Sequence, residues 1–195
     1  MTQIVLFPSV LGLRPGIHDA AQRLRADGHD VLVVDLLDGQ VFDDYEQAIA
    51  SWRASSDEID RRTLEAVADL PEGFVAAGFS AGGGQAVLAA TKRPVSGVLL
   101  LSGVFVPSWL GDDVTWPHGV PAQVHTMLDD PFRDDAEAFG AQRREVEQAG
   151  GTVEIFDYPG SGHLFADPSL PGEYDVAAAE LMWSRVLGFL RGLDV

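Results

Sequence analysis

One run constrains the fold of this chain more than any other: Phe74-Val75-Ala76-Ala77-Gly78-Phe79-Ser80-Ala81-Gly82-Gly83-Gly84, followed by Gln85-Ala86-Val87-Leu88-Ala89-Ala90. It reads as an apolar strand that passes through Gly-x-Ser-x-Gly directly into a small-residue helix. So sharp a strand-to-helix turn strains its serine, and glycines at 78 and 82 let strand and helix approach without Cβ clashes. The pattern is that of a nucleophile elbow. Free N–H groups at the helix N-terminus behind Ser80 would face a negatively charged intermediate. A glycine-rich turn in a parallel sheet shares the composition, so the distinction rests on the strand and helix context and on partners elsewhere in the chain.

That context repeats along the sequence. Strands are expected at 3–8, 31–35, 73–79, 95–102, 122–127 and 152–158, and segments of helical period or helix-favouring composition separate most of them. Ile17, Ala20, Ala21 and Leu24 mark the inner face of a first helix. A longer second one is expected from Ala48 to Leu70, another from Ala136 to Gln148, and a last one over about 174–191 with Val176, Ala179, Trp183, Val186, Leu187 and Leu190 on one side. Trp183 is therefore read as core. The strands are continuous apolar runs, as they should be when helices cover both faces of a sheet. Right-handed crossovers then give an α/β doubly wound, mainly parallel six-stranded sheet, for which the order 2-1-3-4-5-6 is expected.

In that order the first and third strands end side by side at a topological switch point, where ligands bind. The loop Pro8-Ser9-Val10-Leu11-Gly12 would face the turn carrying Ser80, so its backbone can supply a second donor to an oxyanion hole. The irregular stretch 103–121, with Phe105, Trp109, Trp116, His118 and three prolines, is expected to be an active-site wall or lid.

Composition narrows the alternatives. A chain of 195 residues with 46% apolar content is expected to form one domain over 1–195. A net charge of −17 disfavours nucleic acid and anionic membranes as partners. No apolar run approaches a membrane span of roughly 20 residues, and Met1-Thr2-Gln3 lacks the basic flank of a signal peptide, so a cytoplasmic location is expected. Without cysteine there is no disulfide, thiolate metal site or thiol nucleophile. No His-Glu-x-x-His or calcium-loop spacing occurs, so neither metal nor cofactor is expected. Dinucleotide binding is disfavoured as well: Gly78, Ser80 and Gly83 fit Gly-x-Gly-x-x-Gly only with a serine in the middle, and Val98–Val106 contains no acid.

Serine attacks poorly until a base takes its proton, and the base needs a third group to orient it. His163 lies in Tyr158-Pro159-Gly160-Ser161-Gly162-His163, a glycine-bounded loop just past the sixth strand. His18 and His29 flank the first helix, His118 lies in the irregular stretch, and His125 falls inside a strand, where a packed, hydrogen-bonded core histidine is expected. The acid should follow the fifth strand. Asp129 and Asp130 both stand there, and Asp130 is preferred because Pro131 fixes the local turn. Two carboxylates at the imidazole would repel each other, so the other aspartate is expected in solvent or capping the next helix. The order Ser, Asp, His is that of the α/β-hydrolases.

In the loop Pro8–Gly12, the strand Val33-Val34-Asp35-Leu36, the elbow Gly78-Phe79-Ser80-Ala81-Gly82-Gly83, the loop Asp130-Pro131-Phe132 and the loop Tyr158–His163, the chain resembles the dienelactone hydrolase family over nearly its full length. The resemblance implies a minimal α/β-hydrolase fold, with Ser80 as nucleophile, Asp130 as acid, His163 as base and the amides of Val10 and Ala81 as the oxyanion hole. Three positions depart from it. The best-known members use cysteine where this chain has Ser80, and a glutamate in the first-strand loop where it has Ser9. They also place an arginine shortly after the base, which grips the dienelactone carboxylate, where this chain has Asp167.

An acid at 167 would repel a substrate carboxylate by about 1 kcal/mol or more where water is excluded. The expected substrate is therefore a small ester, lactone or thioester that is neutral or weakly cationic. The alternative is a non-catalytic binding relative, which the changes at Ser9 and Asp167 motivate. Ser9, Tyr45, Phe105, Trp109, Phe165 and Asp167 are the candidate substrate contacts, and the sequence does not specify an oligomeric state.

Overall fold

The computed structural model describes residues 1–193. Six strands, β1 (Gln3–Phe7), β2 (Asp30–Val33), β3 (Phe74–Phe79), β4 (Val95–Leu101), β5 (Ala122–Met127) and β6 (Val153–Tyr158), are joined by helices everywhere but between β4 and β5, where the connection has only a short 3-10 turn, and the described residues hold six α-helices. These are α1 (Pro15–Ala26), α2 (Tyr45–Ala54), α3 (Ser56–Ala68), α4 (Ala81–Lys92), α5 (Ala136–Gln148) and α6 (Val176–Leu193). The strands form one sheet in the order β2-β1-β3-β4-β5-β6, and every neighbouring pair is parallel. This is the order expected from the alternation of strands and helices.

The strand pleat sorts side chains between two cores. Ile4, Leu6, Val75, Ala77, Leu99 and Leu101 pack with Ile17 and Leu24 of α1 and Met182, Trp183 and Val186 of α6. Val5, Phe7, Phe74, Ala76, Val98 and Leu100 pack on the other face with Ile59 and Val67 of α3, Ala86 and Val87 of α4 and Val146 of α5. Both faces are thus covered, which explains the apolar strand sequences. Trp183 is buried, as its helical spacing indicated. His125 is fully buried too, bonded through Nδ1 to the Tyr158 hydroxyl at 2.8 Å and through Nε2 to Gln123 Oε1 at 2.8 Å.

The expected long helix from Ala48 to Leu70 is instead two helices. Its start moves forward to Tyr45, because Asp44 caps the first turn by accepting the Gln47 N–H at 2.9 Å. It breaks at Ser55, which takes φ −115° and ψ 14°. The signal is in the sequence: Ser55-Ser56-Asp57-Glu58 opens a fresh N-terminus, with two acidic residues in the first turn of α3.

The stretch 103–121 is tied to the α5 side of the molecule. Val104 N–H donates to Asp134 Oδ2 at 3.1 Å, Phe105 N–H to Gln142 Oε1 at 3.0 Å, and the Ser108 hydroxyl to Glu145 Oε1 at 2.5 Å. It contains only a short 3-10 turn, Pro107–Trp109.

Candidate active site

β3 ends at Phe79, α4 begins at Ala81, and the whole reversal of direction falls on Ser80. Its backbone takes φ 51° and ψ −124°, a region that costs a non-glycine residue about 1–3 kcal/mol. The neighbours make this possible by lacking side chains. A Cβ on Gly78 would lie 2.0 Å from the Gly82 carbonyl oxygen, and one on Gly82 would lie 2.4 Å from the Pro8 carbonyl oxygen. Strand, helix and the β1 loop therefore meet at backbone contact, and the Ser80 N–H is anchored on the Leu101 carbonyl at 2.7 Å.

The loops after β5 and β6 bring two more residues to that point. Asp130 is buried; its Oδ1 accepts the Phe132 N–H at 2.8 Å and its Oδ2 meets His163 Nδ1 at 2.7 Å. Arg133 steadies this turn by donating to the Met127 carbonyl at 3.0 Å and to Asp157 Oδ1 at 2.8 Å. His163 is buried as well, and its Nε2 lies 2.7 Å from Ser80 Oγ. An Nδ1–H given to Asp130 leaves the Nε2 lone pair to accept the Ser80 proton. Asp129 is exposed, its N–H bonded to the Gly160 carbonyl.

The amides of Val10 and Ala81 have no hydrogen-bond partner within the described chain, and both residues line the same cleft as Ser80. In the loop that carries Val10, Ser9 Oγ accepts the Leu11 N–H at 3.2 Å and the Ser9 carbonyl accepts the Gly12 N–H at 3.0 Å. That turn leaves the Val10 amide without an acceptor.

The cleft has a volume of about 530 Å³, enough for a small ester. Tyr45, Ile49 and Trp52 of α2, Phe105 and Phe132 supply its apolar walls, and Arg53 and Asp134 its fixed charges. Burial, aided by Asp130 nearby, raises the Asp134 carboxyl above its ordinary value against the pull of the Val104 amide. Arg53 is exposed and, among the described residues, has no acidic or hydrogen-bonding partner.

Of the six candidate substrate contacts, the cleft contains Tyr45 and Phe105. Trp109 stands behind Phe105, ring centroids 5.7 Å apart and half exposed. Phe165 is fully buried against Tyr158 in the core, because its position two residues after His163 turns it inward. Ser9 and Asp167 are buried around a separate void of about 10 Å³, which has room for one water and no substrate. There the Asp167 carboxylate packs against Gly16 at the N-terminus of α1, a position a helix dipole favours for an acid. Asp167 therefore does not line this cleft, although its charge is felt at Tyr45 in the cleft wall.

Ile49, Trp52, Arg53, Phe132 and Asp134 were not among the sequence-derived contacts. A signal for the first three exists: 45, 49, 52 and 53 recur at helical spacing, but the stripe is visible only once the helix starts at Tyr45.

A family model for dienelactone hydrolases matches residues 1–193. The chain belongs to the dienelactone hydrolase family. It is accordingly an ester-bond hydrolase. Among characterised relatives, a carboxymethylenebutenolidase of Rhodococcus opacus is 29% identical over 202 residues, covering 95% of this chain and 79% of the relative. Among solved structures, the dienelactone hydrolase-like promiscuous phosphotriesterase P91 from metagenomic libraries superposes with a TM-score of 0.80 at 23% identity, covering 99% of this chain and 87% of P91. A dienelactone hydrolase of Anabaena variabilis superposes with a TM-score of 0.60 at 22% identity, covering 94% of this chain and 84% of that one. At these identities the two structures attest the fold.

Proposed function

We propose that this dienelactone hydrolase family member is a serine hydrolase that cleaves a small carboxylic ester, lactone or thioester through an acyl-enzyme. The observation that carries the reading is the continuous chain Ser80 Oγ, His163 Nε2, His163 Nδ1, Asp130 Oδ2, with 2.7 Å at each hydrogen bond. Ser80 Oγ attacks the carbonyl carbon while His163 Nε2 takes its proton. Asp130 holds the imidazole in the required tautomer and stabilises the imidazolium. The unpaired amides of Val10 and Ala81 receive the developing oxyanion. Collapse of the tetrahedral intermediate expels the alcohol or thiol, protonated by His163. Water, deprotonated by the same nitrogen, then releases the acid and restores Ser80.

The substrate side of the proposal rests on the cleft walls. Apolar rings favour a compact apolar acyl or leaving group, and Arg53, unpartnered among the described residues, offers a counter-charge to a substrate carboxylate, opposite in sign to Asp134 in the same cleft. Because Ser9 and Asp167 lie around another void, they give no reason to prefer a binding relative without turnover.

A panel of p-nitrophenyl esters, lactones and thioesters, assayed with wild type and three variants, tests both parts. Ser80→Ala should lower kcat by on the order of 10⁶, and adding His163→Ala should cost little more, since the pair acts as a unit. Arg53→Glu should shift the preference between anionic and neutral esters by roughly tenfold, the scale of one solvent-screened charge pair. Asp167→Asn, which keeps the volume of a buried side chain outside the cleft, should shift it far less. Full turnover by Ser80→Ala would remove the nucleophile assignment, and a preference set by Asp167 would overturn this view of the cleft.

A further inference from the structure

The segment that follows His163 folds back on it through a single side chain. Between His163 and α6 the chain makes consecutive turns, with Asp167 N–H bonded to the Leu164 carbonyl at 2.9 Å and Glu173 N–H to the Leu170 carbonyl at 2.9 Å. The Asp175 N–H then closes on the Phe165 carbonyl at 3.0 Å, and the Asp175 carboxylate caps α6 by accepting the Ala178 N–H at 2.9 Å. Residue 173 is thereby placed beside the imidazole loop.

Glu173 touches both chain neighbours of His163. Its carboxylate Oε2 accepts the Leu164 N–H at 2.6 Å. On the other side its own carbonyl oxygen lies against Gly162, where a Cβ would come within 2.0 Å. Both carboxylate oxygens also accept the Tyr45 hydroxyl, at 3.0 and 3.1 Å. The Tyr45 ring meets the imidazole edge-on, centroids 5.9 Å apart, and stands 5.0 Å from Phe132, which itself lies 4.8 Å from the imidazole. Burial and then the Glu173 charge hold the Tyr45 hydroxyl protonated well beyond its ordinary range, as do Asp130 and Asp167 more weakly. Tyr45 is therefore a fixed donor to Glu173 at neutral pH.

We propose that Glu173 is a positioning residue for His163. By accepting the Leu164 amide it fixes the loop that carries the imidazole, and by accepting the Tyr45 hydroxyl it fixes one wall against which the ring rests. Ser80 and Asp130 meet the ring only at its two nitrogens. Rotation of the loop about that line is opposed by the contacts to Phe132 and Tyr45, and Tyr45 is held by Glu173. Sequence gives no hint of this, since Tyr45 and Glu173 are 128 positions apart.

The proposal rests on His163 being the base, and its test separates the two. Glu173→Ala, Glu173→Gln and Tyr45→Phe are measured on a p-nitrophenyl ester, with thermal unfolding as the check on folding. Glu173→Ala should lower kcat by on the order of 10²-fold, the scale of a misplaced catalytic group, with KM little changed. Glu173→Gln keeps one acceptor for Leu164 and should recover most of the loss. Tyr45→Phe keeps the ring but removes its anchor on Glu173, should lower kcat several-fold, and carries the test if the alanine variant does not fold, an unchanged kcat there overturning the proposal. The downfield proton resonance of His163 Nδ1–H should broaden or vanish in Glu173→Ala and persist in Glu173→Gln. In a His163→Ala background, Glu173→Ala should cost nothing further.

Unchanged kcat in a folded Glu173→Ala protein would overturn the proposal, as would an equal loss on top of His163→Ala. High activity of His163→Ala alone would instead overturn the assignment of the base.

Discussion

Ser80 Oγ and His163 Nε2 stand 2.7 Å apart across 83 residues of chain. The contact depends on three separate reversals of direction: the elbow after β3, the turn after β5 that presents Asp130, and the glycine-bounded loop after β6. Parallel strands place all three at the carboxyl ends of the strands, so the fold itself brings these side chains together.

Asp130, not Asp129, should be the residue on which the imidazole depends. Asp130→Asn preserves volume but offers Nδ1 an amide donor, which favours the tautomer that cannot accept the Ser80 proton. A loss in kcat of about 10⁴ is expected, by analogy with other serine triads. Asp129→Asn alters an exposed side chain and should leave kcat within about twofold. Steady-state kinetics on one ester decides between them, and equal losses would mean the loop presents both carboxylates.

The backbone contacts at the elbow set a stability prediction. Gly82→Ala drives a methyl group into the Pro8 and Phe7 carbonyls, neither of which can rotate away, and should destabilise by about 3 kcal/mol or more. At about 2–4 °C per kcal/mol for a chain of this size, Tm should fall by roughly 10 °C. Gly188→Ala, in the interior of α6 with open space around the added methyl, should raise Tm slightly. Differential scanning calorimetry of the pair is the check; similar shifts in both would mean the elbow is looser than its contacts indicate.

His125 predicts a pH dependence of stability. Burial, with a smaller push from Arg185, lowers its pKa from 6.5 to about 3. The unfolded chain therefore binds more protons between those values, so stability rises with pH across that window. The contribution is complete above pH 6.5 and is lost as pH falls toward 3, with a slope of up to about 1.4 kcal/mol per pH unit. Urea unfolding of wild type and His125→Gln between pH 4 and 8 isolates it. Wild type should lose stability relative to the variant below pH 6.5, and parallel curves would show that His125 takes up its proton equally in the folded and unfolded chain.

Much of this was legible in the sequence because it depends on local pattern. Continuous apolar strands between helical segments specify a doubly wound sheet, and Gly78 and Gly82 flanking a serine specify the elbow. The sequence also identified Asp130 and His163 as candidates, since each lies just past the carboxyl end of a strand. What it hid depends on side-chain direction. Phe165 and Asp167 lie close to His163 in the chain, yet one turns into the core and the other toward α1. Arg53 and Trp52 share the cleft face with Tyr45 and Ile49, a stripe that emerges only when Asp44 caps α2 at Tyr45, ahead of the apolar pattern. Glu173 was invisible for a different reason, since its role consists of contacts to a backbone amide and to a tyrosine far away in sequence.

The most direct test of the central claim is covalent labelling of the intact protein with a fluorophosphonate, followed by mass spectrometry and peptide mapping. Wild type should gain a single adduct on Ser80, at a rate that His163→Ala slows severely, and Ser80→Ala should gain none. A folded wild type that stays unlabelled, or a Ser80→Ala protein that labels as fast as wild type, would contradict the assignment of Ser80 as the nucleophile.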